Sequence, residues 1–238
     1  MKIEGKNAVR ECINANKTIE KVLIQNGSQN REIIDLAKSR GIKVQFVNKS
    51  ALDDFSETKK HQGVIAIATD FKYSSVEDIL NLAKNKNEDA FILILDGVED
   101  PHNLGSVLRV AECAGVHGVI IPKDRAVGVT ETVVKVSAGA TERVKIAKVT
   151  NLNRTIEELK QKNIFVYCAD MDGAPMTKTN LTGNIALVVG SEGFGVSKLT
   201  RKLADGIISI PMFGKINSLN ASVSAGIVVY EAIRQRKN

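Results

Sequence analysis

The chain of 238 residues is long enough for one large domain or two small ones. Its hydrophobic fraction of 43% and charged fraction of 25% are those of an ordinary folded protein, and four prolines are too few for a fibrous or proline-rich disordered chain. The formal net charge of +6 favours an anionic partner.

The apolar segments exclude a membrane-spanning protein. The longest unbroken apolar stretch, 90–95, is far below the ~18–20 residues that a bilayer requires. The first seven residues contain no apolar run typical of a secretory signal. We therefore expect a cytoplasmic protein with no membrane partner.

The cysteines and histidines favour neither a disulfide framework nor a metal site. The cysteines form no CxxC pair and are odd in number, and the histidines are scattered. These residues are Cys12, Cys113, Cys168, His61, His102 and His117. We expect no structural metal.

The first seventy residues predict a small α/β unit. A helix pattern runs from Glu32 to Ser39 and ends at Gly41. Strand patterns lie at 21–25, 43–47 and 64–68. The next segment, 73–90, is polar at both ends and contains one short amphipathic helix, so we interpret it as a connector.

Continuous apolar runs follow the connector, with helical patterns between most of them. Such runs are typical of strands that are covered on both faces. They lie at 91–95, 118–121, 164–168, 185–189 and 207–210. The sequence thus predicts a mostly parallel α/β sheet.

The first segment that can carry chemistry, 95–109, runs from a strand through a polar turn into a helix. The predicted apolar face of this helix includes Leu104 and extends to Gly115, and Arg109 lies roughly 140° from Leu104 by the helical period. Arg109 is therefore expected to point away from the packed face, where it either binds a ligand or pairs with Glu112. Asn103 is either a ligand-binding side chain at the end of the strand or the N-cap of the helix.

The second segment, 185–195, is an apolar strand followed by a glycine-rich loop. The order of the glycines matches neither the dinucleotide fingerprint nor a P-loop. The loop is either a tight turn without a ligand or a place where a ligand approaches the backbone closely. Glu192 within it is suited to hold a hydroxyl, an amine or a cation.

The third segment, 208–226, joins a strand that stops at Pro211 to a helix rich in small residues. Several polar residues before that helix are candidate caps. The helix is either an ordinary capped core helix or part of a close helix–helix contact between subunits.

Together, the three segments closely resemble the signature motifs of the SpoU (TrmH-like) branch of the SPOUT methyltransferases. The resemblance rests on Asn103 and Arg109 with their spacing, on Gly190-Ser191-Glu192-Gly193, and on Ser218-Leu219-Asn220 before the final helix, and it covers 91–238. The first seventy residues are similar to the family's RNA-binding extension, which resembles ribosomal protein L30e. That similarity rests on Gly5, Ala8-Val9 and His61-Gln62-Gly63-Val64.

The resemblance implies an α/β fold with two domains. Residues 1–72 would form an L30e-like domain that binds the RNA substrate, 73–90 a linker, and 91–238 a SPOUT domain with a trefoil-knotted, mostly parallel sheet. The family binds S-adenosylmethionine largely through backbone groups of the knot loops, which map to Gly190, Ile210 and Leu219, with Met212 and Ser218 beside them. Family members are homodimers that associate through the catalytic domain.

The implied reaction transfers a methyl group from S-adenosylmethionine to a ribose 2′-hydroxyl of RNA, as in bacterial 23S rRNA guanosine 2′-O-methyltransferases. By resemblance Arg109 is the essential residue, and Asn103, Glu192, Ser218 and Asn220 orient it and the ribose. The family analogy makes Arg109 the base. Because a guanidinium group keeps its proton at neutral pH, we expect it to stabilise developing negative charge instead.

Two alternatives remain open: a tRNA ribose methyltransferase of the same family, and a non-catalytic RNA-binding protein with this fold. A nucleotide-dependent oxidoreductase would need the dinucleotide spacing, which is absent, and no DNA partner is expected. Basic residues of the first domain are candidate phosphate contacts or ordinary surface charges. They are Lys2, Lys6, Arg10, Lys17, Lys21, Lys59 and Lys60.

Overall fold

The computed structural model describes residues 1–15, 18–69, 71–215 and 218–237. The chain forms two compact units, Met1–Lys72 and Tyr73–Asn238, each with its own sheet. Within the described ranges, no helix combines the length and the hydropathy needed to cross a membrane.

In its described residues, the first unit is a four-stranded mixed sheet with three helices. Its elements are β1 (Lys2–Glu4), α1 (Lys6–Asn14), β2 (Thr18–Gln25), α2 (Arg31–Ser39), β3 (Lys43–Val47), α3 (Lys49–Phe55) and β4 (Val64–Thr69). The strand order is β1-β4-β2-β3, with β2 parallel to β3 and antiparallel to β4. The predicted helix and three strands are confirmed, whereas β1, α1 and α3 were not predicted. β1 and α3 have only three and seven residues, too few to show a period.

Helices cover both faces of this first sheet. On one face α1 and α2 bury Val9 and Ile33. On the other face α3 buries Leu52 against Leu23 and Ile65. Because β2 is covered on both sides, its residues form the centre of the unit.

The second unit is a six-stranded sheet in which every pair of neighbouring strands is parallel. The strand order is β10-β8-β9-β5-β6-β7. Its elements are α4 (Val76–Asn85), β5 (Phe91–Asp96), α5 (Pro101–Cys113), β6 (Gly118–Pro122), α6 (Glu131–Val136), β7 (Lys145–Val149), α7 (Leu152–Gln161), β8 (Phe165–Pro175), β9 (Ile185–Gly190), α8 (Lys198–Leu203), β10 (Gly206–Ser209) and α9 (Ala221–Arg236). The expected parallel α/β architecture is confirmed.

The structure adds one strand to the five that were predicted. β7 is an edge strand in which only Ile146 and Ala147 are buried, and lysines at positions 145 and 148 obscure its pattern. β8 continues to Pro175, well beyond the predicted end at residue 168, and its later residues are largely exposed. A polar or exposed strand gives no continuous apolar run, which explains both differences.

The central strands of this sheet are buried on both faces. On one face, Ile79 of α4 and Ile156 of α7 pack in the same core as Ile92 and Ile94 of β5. The segment 73–90, which we interpreted as a connector, therefore contributes a core helix to the second unit. α5 and α9 pack against each other, and α9 also contacts β9. β5 and β9 are parallel neighbours, so their carboxyl ends lie side by side.

Candidate active site

Two cavities lie where the parallel strands of the second unit end. We call the first, of about 680 Å³, the edge cavity; it is lined by residues at or just after the ends of β5, β6, β7 and β9, among them Asp96, Pro122, Thr150 and Ser191. The carboxyl edge of a parallel sheet is where α/β folds bind their ligands. The cavity therefore lies in the position that the fold favours for a ligand.

The second cavity, of about 430 Å³, lies beside the glycine loop, and we call it the loop cavity. It brings together all the residues that the resemblance assigns to the cofactor. Those residues are Gly190, Ile210, Met212, Ser218 and Leu219. They come from the end of β9, the loop after β10 and the residues before α9, so a single cavity joins the second and third chemical segments.

The two cavities share a wall. The residues that line both are Ser191, Glu192, Phe194, Gly195 and Ala221. Groups bound in the two cavities would be separated only by the glycine loop and the first residue of α9. Such a wall suits a transfer between two ligands, because the reacting groups are held next to each other.

The glycine loop folds back on its own strand. Ser191 and Gly195 exchange two backbone hydrogen bonds, of 3.2 and 3.0 Å. A Cβ at position 190 would lie 2.0 Å from the Gly195 carbonyl carbon and 2.3 Å from the Val196 nitrogen. Only glycine fits at position 190, because the turn packs directly against its backbone. This tight turn, one of the two explanations that the sequence left open, accounts for the glycine.

A hydrogen-bond network connects the three chemical segments. The Glu192 Oε1 atom accepts hydrogen bonds from Asn103 Nδ2 (3.1 Å), from Asn220 Nδ2, and from the backbone nitrogen of Ala221 (3.4 Å). Asn220 Nδ2 also donates to Asn103 Oδ1 (2.9 Å). Residues up to 117 positions apart thus meet at one carboxylate.

The structure identifies the residues that cap α5 and α9. Asp100 is the N-cap of α5 and accepts from the backbone nitrogens of His102 and Asn103, so Asn103 is not the cap. Asn103 is 7% exposed, and its side chain forms hydrogen bonds with Glu192 and Asn220. Asn220 is the N-cap of α9, where its Oδ1 accepts from backbone nitrogens while its Nδ2 enters the network.

Arg109 is exposed on α5 and lines neither cavity within the described chain. The predicted orientation away from the packed face is confirmed. The alternative pairing with Glu112 is wrong, because Glu112 binds Arg143 at 3.3 Å. The predicted apolar face also ends earlier than expected, since α5 stops at Cys113 and Gly115 lies in the following turn with φ +69°.

Two sets of polar contacts around the cavities were not predicted. Arg201 reaches the loop cavity and forms ion pairs with Asp170 (3.1 Å) and Asp172 (3.4 Å), which lie on the extension of β8. Asp96 accepts a hydrogen bond from the Ser197 backbone nitrogen at 2.9 Å and so fixes the end of the glycine loop. Asp96 stood in the first chemical segment, but no sequence signal identified position 197 as its partner.

The thiol nearest to this site is chemically inert. Burial, with a smaller contribution from Asp96, raises the pKa of Cys168 to about 12. A thiol with this pKa stays protonated at neutral pH and is not a nucleophile. Among the described residues, no group of three His, Cys, Asp or Glu side chains could hold a metal ion.

Several basic residues of the first unit have partners within that unit. Lys2 pairs with Glu57, and its amino group lies over the ring of Phe55. Arg10 pairs with Glu32. For these residues, the interpretation as ordinary surface charges fits the structure.

The remaining basic candidates of the first unit differ in their contacts. Lys21 donates to Gln45, and Lys59 donates to the carbonyl of Asp53. The side chains of Lys6 and Lys60 form no hydrogen bond or ion pair with any described residue. Lys17 lies outside the described residues.

Family models match both units of the chain. Residues 90–230 match the SpoU rRNA Methylase family, and residues 2–74 match the domain described as RNA 2′-O ribose methyltransferase substrate binding. A Bacillus subtilis protein named for the TrmH family of tRNA/rRNA methyltransferases, YacO, is 45% identical over 98% of this chain and 94% of its own length.

Two solved structures share the architecture. An RNA 2′-O ribose methyltransferase aligns with a TM-score of 0.58 and 28% identity over 100% of this chain and 89% of that chain. The SpoU methyltransferase AviRb from Streptomyces viridochromogenes, solved with AdoMet, aligns with a TM-score of 0.64 and 22% identity over 99% and 90%. The matched motifs, the two units and these similarities place the chain in the SpoU (TrmH) family of RNA methyltransferases.

Proposed function

We propose that this protein transfers a methyl group from S-adenosylmethionine to the 2′-hydroxyl of a guanosine in 23S rRNA, in the cytoplasm. The observation that carries the proposal is the shared wall between two cavities, with Glu192 in that wall held by Asn103 and Asn220. This arrangement provides separate places for a methyl donor and a methyl acceptor, with a fixed carboxylate between them.

The loop cavity fits S-adenosylmethionine. Its volume of about 430 Å³ lies within the ~300–1,000 Å³ range of small-ligand sites. Val189, Ile210 and Leu219 supply apolar lining for an adenosyl group, and Asp170 and Arg201 supply charges of both signs for an amino acid group. When bound, this cofactor supplies an electrophilic methyl group on a sulfonium.

Glu192 is positioned to act on the ribose hydroxyl. Three donors bind its Oε1 atom and fix the carboxylate, whereas no described residue binds Oε2. Oε2 is therefore available to accept a hydrogen bond from a 2′-hydroxyl and orient its oxygen. As this oxygen takes the methyl group, its proton passes to Oε2 or to water. Asn103 and Asn220 are positioning residues, because they hold the carboxylate in the wall.

Arg109 stabilises the negative charge that develops on the ribose oxygen. Its guanidinium forms no hydrogen bond or ion pair with a described residue, so its donors are available for RNA. Because Arg109 lines neither cavity of its own chain, we assign its action to a homodimer. The exposed apolar residues Val223 and Tyr230 on α9 support an association through the catalytic unit.

The first unit binds the RNA substrate. Its match to a substrate-binding domain and the available side chains of Lys6 and Lys60 support this assignment. Contacts with phosphates add affinity with little dependence on sequence, and they weaken as the salt concentration rises.

A methylation assay with separated RNA pools tests the proposal. The protein is incubated with labelled S-adenosylmethionine and unmethylated tRNA or ribosomal RNA, and the product is mapped by its resistance to alkaline cleavage. We expect label at one guanosine of 23S rRNA. Label in tRNA alone would favour the tRNA methyltransferase, and binding of RNA without transfer would favour the non-catalytic alternative.

Substitution of Arg109 tests its role separately. Arg109→Ala is expected to abolish transfer and Arg109→Lys to reduce it strongly, with unchanged affinity for the donor. An exposed side chain without partners contributes little to folding, so both variants should unfold within about 0.5 kcal/mol of the parent. Near-normal single-turnover rates in both variants would contradict the assignment, and loss of RNA binding alone would make Arg109 a phosphate contact.

A further inference from the structure

Phe194, at the tip of the glycine loop, is 94% exposed. A single exposed apolar side chain is common on protein surfaces and by itself indicates no binding site. The position of Phe194 makes it unusual, because it lines both the edge cavity and the loop cavity.

The backbone holds Phe194 in a defined place. Its two neighbours, Gly193 and Gly195, have φ values of +87° and +63°. The two hydrogen bonds between Ser191 and Gly195 close the turn beneath it. The ring therefore stands on a closed turn at the mouth of the edge cavity and has no described aromatic or cationic partner.

The charges of the edge cavity indicate which part of an RNA would enter it. Among the described residues, its ionisable lining has one cation, Arg125, against five carboxylates. The carboxylates belong to Asp96, Glu99, Asp100, Asp124 and Glu192. Carboxylates repel a phosphate but accept hydrogen bonds from the N–H groups of a nucleobase. Those of Glu99 and Asp124 form no hydrogen bond with another described residue, so they are available for such donors.

We propose that Phe194 and the edge cavity hold the base of the nucleotide that is methylated, with the base stacked on the Phe194 ring and its N–H edge towards the carboxylates. An unpaired base stacks favourably on an aromatic side chain, and RNA is commonly read by bases splayed out in this way. The cavity of about 680 Å³ has room for a nucleoside. This inference rests on the proposed function, and it makes Phe194 a substrate-positioning residue.

The absence of tryptophan from the chain allows a direct test. Phe194→Trp introduces a single fluorescent indole at the proposed stacking position, and Phe213→Trp is the matched control. Phe213 is 98% exposed on a neighbouring loop and lines neither cavity. The probe is the unmethylated RNA pool into which the parent protein incorporates label, added with S-adenosylhomocysteine to prevent turnover.

We expect the RNA to quench the indole at position 194 and to leave the indole at position 213 nearly unchanged. Because Phe194 also lines the loop cavity, the reference for both variants is the protein saturated with S-adenosylhomocysteine before RNA is added. Equal quenching by RNA at both positions, or no quenching at position 194, would overturn the proposal.

Kinetics give a second readout that a purely structural role would not produce. Phe194→Ala and Phe194→Leu are expected to lower kcat/KM for RNA roughly tenfold or more, while Phe194→Tyr keeps most of it, because only an aromatic ring stacks on a base. The rates are compared at saturating S-adenosylmethionine, because Phe194 also lines the loop cavity, and Phe213→Ala should behave as the parent protein. Equal activity of the Leu and Tyr variants would refute stacking.

These outcomes separate the inference from the proposed function. If the parent protein labels no RNA, the proposed function fails before any variant is compared, and the inference fails with it. If the parent protein labels RNA and the Phe194 variants match it, only the inference fails.

Discussion

Gly190→Ala should damage both the stability of the catalytic unit and its affinity for S-adenosylmethionine. The added Cβ would lie 2.0 Å from the carbonyl carbon and 2.2 Å from the carbonyl oxygen of Gly195. These are backbone atoms, so no side-chain rotation can relieve the overlap. The loop must move away from β9 and lose the two hydrogen bonds between Ser191 and Gly195.

The expected cost follows from these two effects. Overpacking of a buried position costs roughly 1–3 kcal/mol, and each lost backbone hydrogen bond costs about 1 kcal/mol. With two lost bonds and a central overpacking cost of about 2 kcal/mol, the total is about 4 kcal/mol, which corresponds to a decrease in Tm of roughly 8–16 °C for a unit of this size. Because the loop lines the loop cavity, the dissociation constant of S-adenosylmethionine should also rise.

Gly214→Ala is the matched control for this experiment. Position 214 also lies in a loop near the cavity, but a Cβ there would meet nothing within 4 Å. Its effect on the free energy of unfolding should stay within about 0.5 kcal/mol. Calorimetry measures Tm, and equilibrium dialysis measures donor affinity. If Gly190→Ala has the same Tm as Gly214→Ala and binds the donor with normal affinity, the predicted overlap at position 190 does not determine stability or donor binding.

Two further predictions concern polar side chains. Asn103→Ala removes two bonds from the network around Glu192 and should lower the free energy of unfolding by about 1–3 kcal/mol, measured by urea denaturation, with a larger loss of methyl transfer than of donor affinity. Hydrogen bonds from Arg234 and then Gln235 lower the pKa of Glu231 to about 2, from 4.5. Since the unfolded chain binds this proton more readily, the stabilisation is complete above pH 4.5 and is lost as the pH falls towards 2. Melting curves of Glu231→Gln should therefore depend less on pH across that interval, and an unchanged dependence would contradict the assignment.

The sequence was most informative where burial was complete. Continuous apolar runs predicted β5, β6 and β9, because strands covered on both faces have no polar residues in the middle. β7 was missed for the opposite reason, since it lies at the edge of the sheet and lysines at positions 145 and 148 interrupt its apolar residues. The strand order could not be read, because it depends on which runs meet in space.

The candidate site was predictable as a set of residues but not as a geometry. Segment patterns and the family resemblance selected Asn103, Glu192 and Asn220. The sequence gives no sign that Asn103 bonds across 89 and 117 positions instead of capping α5. Such contacts depend on how α5 and α9 pack, and no local period encodes that packing.

Glu192 illustrates how the fold converts a local motif into a site. By itself, the glycine turn forms only the two backbone hydrogen bonds between Ser191 and Gly195, and the carboxylate of Glu192 would face solvent. α5 and α9 each begin beside this turn, and Asn103 and Asn220 at their starts both donate to Oε1, so that one oxygen of the carboxylate is held. The oxygen that remains available as an acceptor is then Oε2, in the wall between the two cavities. The methyl transfer that we propose needs the acceptor oxygen oriented in line with the donor, and a carboxylate fixed on one side would provide that orientation without reorganisation during the reaction.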